Sequence, residues 1–240
     1  MNNQTRFSRF AAITAILSAP VGLTTWLLVA MAVNFDMDLV SEMADVIRLG
    51  ARASGFFHLA WSITDAFGYA ILLAPAALYL WRWLKPYNPN FVTLYALFGF
   101  AYILTAAIVV YMMAGVVPPL MRAYSEATTT QRETLLVGFQ NLFDMLYYGI
   151  GALNWFFGGI WWLGTGLILR QKRLIFGNVT TIVGILSLVV WLEQTFRIDS
   201  LIIVETPFFF LILIWAVWIG ILILQRGENF DVTLEPVEIV

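Results

Sequence analysis

Six stretches of the chain stay apolar for about the 20 residues that a helix needs to cross roughly 30 Å of hydrocarbon. They fall at about 10–33, 55–81, 91–117, 135–169, 174–193 and 201–224. Lipid offers no water to complete the backbone's hydrogen bonds, so only a helix or a closed barrel can cross it. These runs are too long and too uniformly apolar for barrel strands, which alternate inward and outward residues. The pattern predicts an all-α bundle of six transmembrane helices in a domain of residues 1–226, followed by an acidic cytoplasmic tail over 227–240.

The first run needs a check against a secretory signal, because Arg6 and Arg9 precede it and Ala30-Met31-Ala32 resembles a cleavage site. Its apolar core is longer than the roughly 7–15 residues of a signal, so it reads as a retained span. With the N-terminus inside, one face holds Arg6, Arg9, Arg82, Lys85, Arg170, Lys172, Arg173 and Arg226. The other holds Arg48, Arg52, Arg122, Arg132 and Arg197, together with most of the loop acids. The positive-inside rule therefore predicts both ends in the cytoplasm, with Trp81, Trp83 and Tyr87 marking a membrane boundary.

Between the first two spans, Leu39, Met43, Val46 and Ile47 recur at helical spacing among acids and arginines. This predicts an amphipathic helix within Asp36–Arg52, lying on the outer surface. The fourth run is long: from Thr134 to Leu169 a continuous helix would measure ~54 Å. Its first turns either project beyond the membrane or the helix bends near Gly149 or Gly151. No internal repeat is evident, which removes support for an inverted-repeat transporter.

Composition sharpens this picture. Of 240 residues, 61% are hydrophobic and 12% charged, against about 25% charged in soluble domains. A net charge of −2 with no basic tract gives no reason to expect a nucleic acid partner. The chain has no cysteine and one histidine, His58, which excludes thiolate metal sites, a bis-histidine haem and a three-histidine zinc site. Lys85 and Lys172 sit in short polar connections, so a buried Schiff base is not expected.

Polar groups at membrane depth are costly and mark functional positions. On the second span His58, Ser62, Asp65 and Tyr69 fall at spacings of four, three and four, sharing one stripe at 100° per residue. On the fourth, Gln140, Asp144, Tyr147, Gly151, Asn154 and Gly158 repeat the pattern. Asp65 lies ~15 Å into its helix, His58 and Asp144 nearer the outer boundary. Glu193, Gln194, Arg197 and Glu205 gather at the outer ends of the last two spans. The expectation is a cleft open to the outside, narrowing towards Asp65 between the second and fourth spans.

Each feature also has a purely architectural reading. Asp65 and His58 would pair with each other, or with tyrosines, to set helix register. Glu193 and Arg197, four apart, would form a local ion pair. Gly149, Gly151, Gly158, Gly159, Gly164 and Gly166 would allow close helix packing, and Pro75 and Pro207 would kink their helices. The ten tryptophans and nineteen phenylalanines would face lipid or anchor the interface.

No nucleophile elbow, phosphate-binding loop, His-Glu-x-x-His or paired-aspartate motif is present, and no cofactor is indicated. The layout does resemble a known family. A second span ending in Leu78-Tyr79-Leu80 and Leu84-Lys85-Pro86-Tyr87-Asn88 precedes a long fourth segment and the basic turn Arg170-Gln171-Lys172-Arg173-Leu174-Ile175. It is similar to an uncharacterised family of bacterial six-helix membrane proteins known only as a domain of unknown function. That resemblance implies architecture and a bacterial plasma membrane, but no activity.

Three functional readings follow. The first is a non-catalytic bundle that binds membrane lipid or another lipophile, or packs as an accessory subunit or homodimer in a membrane assembly. The second is an intramembrane enzyme acting on a lipid or isoprenoid, with Asp65 as general acid and His58 or Asp144 as its partner. The third is a small transporter.

Overall fold

The computed structural model describes residues 3–40 and 43–226. The predicted acidic tail, 227–240, lies outside the described residues. Six helices are long and apolar enough to cross a membrane: Arg6–Ala32, Gly50–Leu84, Pro89–Glu126, Thr129–Arg170, Leu174–Phe196 and Ser200–Gln225. Among the described residues there is no strand. This is a multi-pass membrane protein. Its lipid side is visible as large exposed apolar residues on every span, such as Leu27, Phe67, Leu104, Leu153, Ile185 and Ile214.

Consecutive spans are antiparallel neighbours, and the sixth returns to pack along the first. The result is a closed ring in sequence order. We call the end that carries the start of the first span the terminal end, and the opposite one the far end. At the far end the third and fourth spans, of 38 and 42 residues, form the longest hairpin. A capping box at Thr128, whose amide nitrogen donates to Gln131 Oε1 at 2.9 Å, starts the fourth span sharply.

The segment expected to lie as one amphipathic surface helix is instead two short pieces, Met37–Val40 and Met43–Arg48. The first span stops in a left-handed turn at Asn34 and Phe35. Gly50, at φ +70°, then turns the chain into the second span, where a side chain would strike Ser125 Oγ. Val46 and Ile47 are fully buried, packed with Met121 and Phe139 of the third and fourth spans. The apolar face of this short helix thus lies against the bundle rather than in the lipid headgroups.

The interior is divided. A large cluster at the terminal end includes Trp83, Trp161, Trp162, Trp215 and Phe208. A smaller one at the far end gathers Ile47, Phe57, Met113, Met121, Phe139 and Phe143. Four tryptophans are therefore core filling, contrary to the expectation that tryptophan here serves lipid and interface. Gly158, Gly159, Gly164 and Gly166 do allow close packing, since a Cβ at each would strike Trp162, Leu188, Tyr95 and Thr181 respectively. Gly149 meets nothing, and Gly151 stands on the wall of a void.

Two stretches are wound more widely than an α-helix. Ala60–Ala70 of the second span and Met145–Gly151 of the fourth are π-helical, bonding i to i+5. A 3-10 turn, Ile71–Leu73, follows the first of these, just before Pro75. Pro75 sits in the first turn of the next α-helical stretch, and Pro207 in that of the α-helix Glu205–Arg226, positions where a missing N–H costs little. At the irregular joint, the Tyr69 carbonyl accepts from Tyr102 Oη at 3.0 Å.

Candidate functional site

A cavity of about 150 Å³ opens between the second, third and fourth spans, where the two core clusters part. Asp65, near the middle of the 35-residue second span, faces it. Tyr69, Tyr147 and Asn154 share that wall, so four of the eight polar cleft residues expected from sequence line one void.

The π-helical bonding explains which side chains arrive there. In an α-helix every fourth residue drifts about 40° around the axis; wider turns with i to i+5 bonds reduce that drift. The second span accordingly sorts into rows of four. Trp61, Asp65 and Tyr69 face the cavity, while Ala60, Thr64 and Gly68 are buried. Thr25 Oγ1 of the first span donates to Thr64 Oγ1 at 2.8 Å. Gly68 lies so close to Gly22 that a Cβ would overlap its backbone. The fourth span presents a matching row, Phe143, Tyr147, Gly151 and Trp155, with Asn154 beside it.

Most polar groups around the void have partners. Tyr147 Oη donates to Glu205 Oε1 at 2.5 Å, and Gln194 Nε2 donates to the same oxygen at 3.0 Å. Trp26 Nε1 donates to Tyr69 Oη at 3.1 Å, and Thr105 Oγ1 to Asn154 Oδ1 at 3.0 Å. Asp65 is different: it has no hydrogen bond and no ion pair among the described residues. The rest of the lining is apolar, from Ala106, Val109, Val110 and Met113 of the third span to Phe209 of the sixth.

The other four expected cleft residues lie elsewhere. His58 Nδ1 sits 3.1 Å from the carbonyl oxygen of Ala114 on the third span. Pro118, four residues on, has no N–H to give that carbonyl, so the imidazole supplies the missing donor. His58 therefore does not pair with Asp65. Ser62 turns its hydroxyl onto the His58 carbonyl, at 2.6 Å within its own helix. Gln140 is exposed on the far part of the fourth span and lines no part of the void. Asp144 accepts from Arg197 Nη2 at 2.9 Å, with both side chains substantially exposed.

That ion pair also replaces the expected Glu193–Arg197 contact. Arg197 has left the helix in a left-handed conformation, φ 53°, which breaks the i, i+4 register. Its guanidinium lies over the Tyr148 ring, 4.6 Å from the centroid. Glu193 and Gln194 are buried, at 3% and 1% exposure, while Glu205 is half-buried between Gln194 and Tyr147. Among the described residues, no group of three or more His, Cys, Asp or Glu side chains could hold a metal ion.

Sequence reasoning missed Trp61, Tyr102, Phe143 and Trp155 as wall residues. For Trp61, Phe143 and Trp155 the available signal was spacing by four from Asp65 and from Tyr147, read through aromatic as well as polar residues; Tyr102, on the third span, carried no such signal.

No curated protein and no solved structure matches the chain. Residues 27–227, the greater part of it, match the family described as Domain of unknown function (DUF4386), which includes all six spans except the start of the first. The chain belongs to the DUF4386 family of membrane helix bundles.

Proposed function

We propose that this protein is a bilayer-embedded binding protein for a small lipophilic molecule, held in the mid-bundle cavity with Asp65 as its polar contact. The observation that carries this reading is the unpartnered carboxyl of Asp65 facing an otherwise apolar and aromatic void. Small-molecule sites are typically apolar hollows with a few placed polar groups. A pocket of about 150 Å³ in a well-packed core can take a molecule of benzene size, or the end of a longer one.

Binding is favoured over proton-transfer catalysis because His58 and Asp144, the sequence candidates for a partner to Asp65, are engaged on Ala114 and Arg197. In this reading both termini face the cytoplasm of a bacterial cell and the far end faces outward, as the distribution of basic residues favours. The molecule comes from the bilayer itself.

The test is native mass spectrometry of the protein extracted with its surrounding lipid. A retained small molecule is expected in the wild type and lost in Ala106→Phe, which fills the cavity. Absence of any retained molecule, together with unchanged uptake of a small aromatic compound by Ala106→Phe, would sink the reading.

A further inference from the structure

The walls around Asp65 are one-sided in charge. Of the fifteen residues lining the cavity, none is Arg, Lys or His, and seven are aromatic. A carboxylate in a low-dielectric site needs a countercharge or hydrogen-bond donors. The protein commits its cations elsewhere: Lys85 lies over Trp81, Lys172 over Tyr87, and Arg197 against Asp144. Of the neighbouring hydroxyls, Tyr147 donates to Glu205 and Tyr102 to the Tyr69 carbonyl, while Tyr69 Oη accepts from Trp26 and makes no hydrogen bond to Asp65. Aromatic faces attract cations through their quadrupoles, most strongly where water is excluded.

The wider charge pattern points the same way. Among the described residues, every acid other than Asp65 belongs to the far end. At the far end Asp36, Asp38, Asp45, Glu126 and Glu133 outnumber Arg48, Arg52, Arg122 and Arg132 by one, Asp144 and Arg197 are paired, and Glu193 and Glu205 add carboxyls beneath them. A negative rim raises the local concentration of cations.

We infer that the cavity selects a lipophilic cation, an amine or quaternary ammonium whose positive head sits against Asp65 among the rings of Trp61, Tyr69, Tyr147 and Trp155. This rests on the binding reading above. A neutral hydrocarbon would leave the carboxyl unpaired, and an alcohol would offer it one hydrogen bond. An ammonium offers charge, donors and a cation for the ring faces together.

The experiment uses the full chain in nanodiscs of phosphatidylcholine, with empty discs as blank. Fluorine NMR follows three para-fluoro probes: benzylammonium, its uncharged isostere ethylbenzene, and benzyl alcohol. The ammonium is expected to bind saturably and at least about tenfold more tightly than either neutral probe. Asp65→Asn should erase that preference, and Ala106→Phe should abolish binding of all three. If Ala106→Phe does not fold, Val110→Trp fills the same void from the third span. Neutral probes that bind as tightly as the ammonium, and are lost on filling the cavity, overturn the cation assignment and leave the binding reading standing. No saturable binding of any probe, or binding indifferent to filling, overturns both.

Discussion

At the terminal end of the bundle, Trp161 stacks on Trp162 with ring centroids 5.0 Å apart, and Trp215 meets both edge-on at 5.7 and 5.8 Å. Half-way along, Trp61, Tyr147 and Trp155 stand around empty space with a carboxyl among them. Aromatic residues are prominent in both regions. What differs is the helix that carries them. In the terminal half the fourth span is α-helical, and Gly158, Gly159 and Gly166 bring its backbone close to neighbouring side chains. Through the cavity it is π-helical, with Gly151 on the wall of the void and Gly149 meeting nothing. Aromatic residues do not by themselves make a core or a site. The local helical repeat decides which one they build.

The strongest way to break this comparison is to empty the full half. Trp162→Ala should cost about 3–5 kcal/mol by loss of packing, read as a lowered midpoint of thermal unfolding in detergent. A small cost would mean the terminal cluster is not the stable half. Next comes a matched pair of glycines. Gly184→Ala sets a Cβ into the Leu163 backbone nitrogen and should cost about 1–3 kcal/mol, whereas Gly149→Ala, whose Cβ would meet nothing, should stay within about 0.5 kcal/mol. Equal effects would erase the distinction between the fitted glycines and the open one.

Asp65→Leu sharpens the contrast by its sign. Removing an unpartnered carboxyl from membrane depth should stabilise the empty protein by about 1–2 kcal/mol, the opposite of what truncating a structural keystone does. A destabilised variant would show that Asp65 holds helices together. Smallest is His58→Leu, at about 1 kcal/mol for the orphaned Ala114 carbonyl. Its effect should shrink towards zero in a Pro118→Ala background, where the helix supplies its own donor again. Persistence of the full cost there would mean that the imidazole does something else.

These regions were unequally legible in the sequence. The spans stand out because hydrocarbon forces unbroken apolar runs, and Asp65, Tyr69, Tyr147 and Asn154 stand out because polar groups are rare within them. Ser62 was misplaced because a period of 3.6 was applied to a stretch that bonds i to i+5. His58 was misplaced because its partner is a carbonyl freed by a proline 60 residues later. The Arg197–Asp144 pair joins residues 53 apart through a left-handed backbone turn, and neither composition nor spacing reports such a turn. The short helix Met43–Arg48 has an amphipathic pattern that fits a membrane surface and a protein surface equally; only the tertiary partners, Met121 and Phe139, tell them apart.

The seat of Gly68 on Gly22 has a mechanical consequence. With no side chain between the first two backbones, the wide turns of the second span are braced from behind and cannot retreat when something enters. Any swelling must be taken up across the void, by the valines and Ala106 of the third span and the wide turns of the fourth around Gly151. An occupant would therefore lean on one unyielding wall and deform the other, and the movement it causes should be sought in the long third–fourth hairpin.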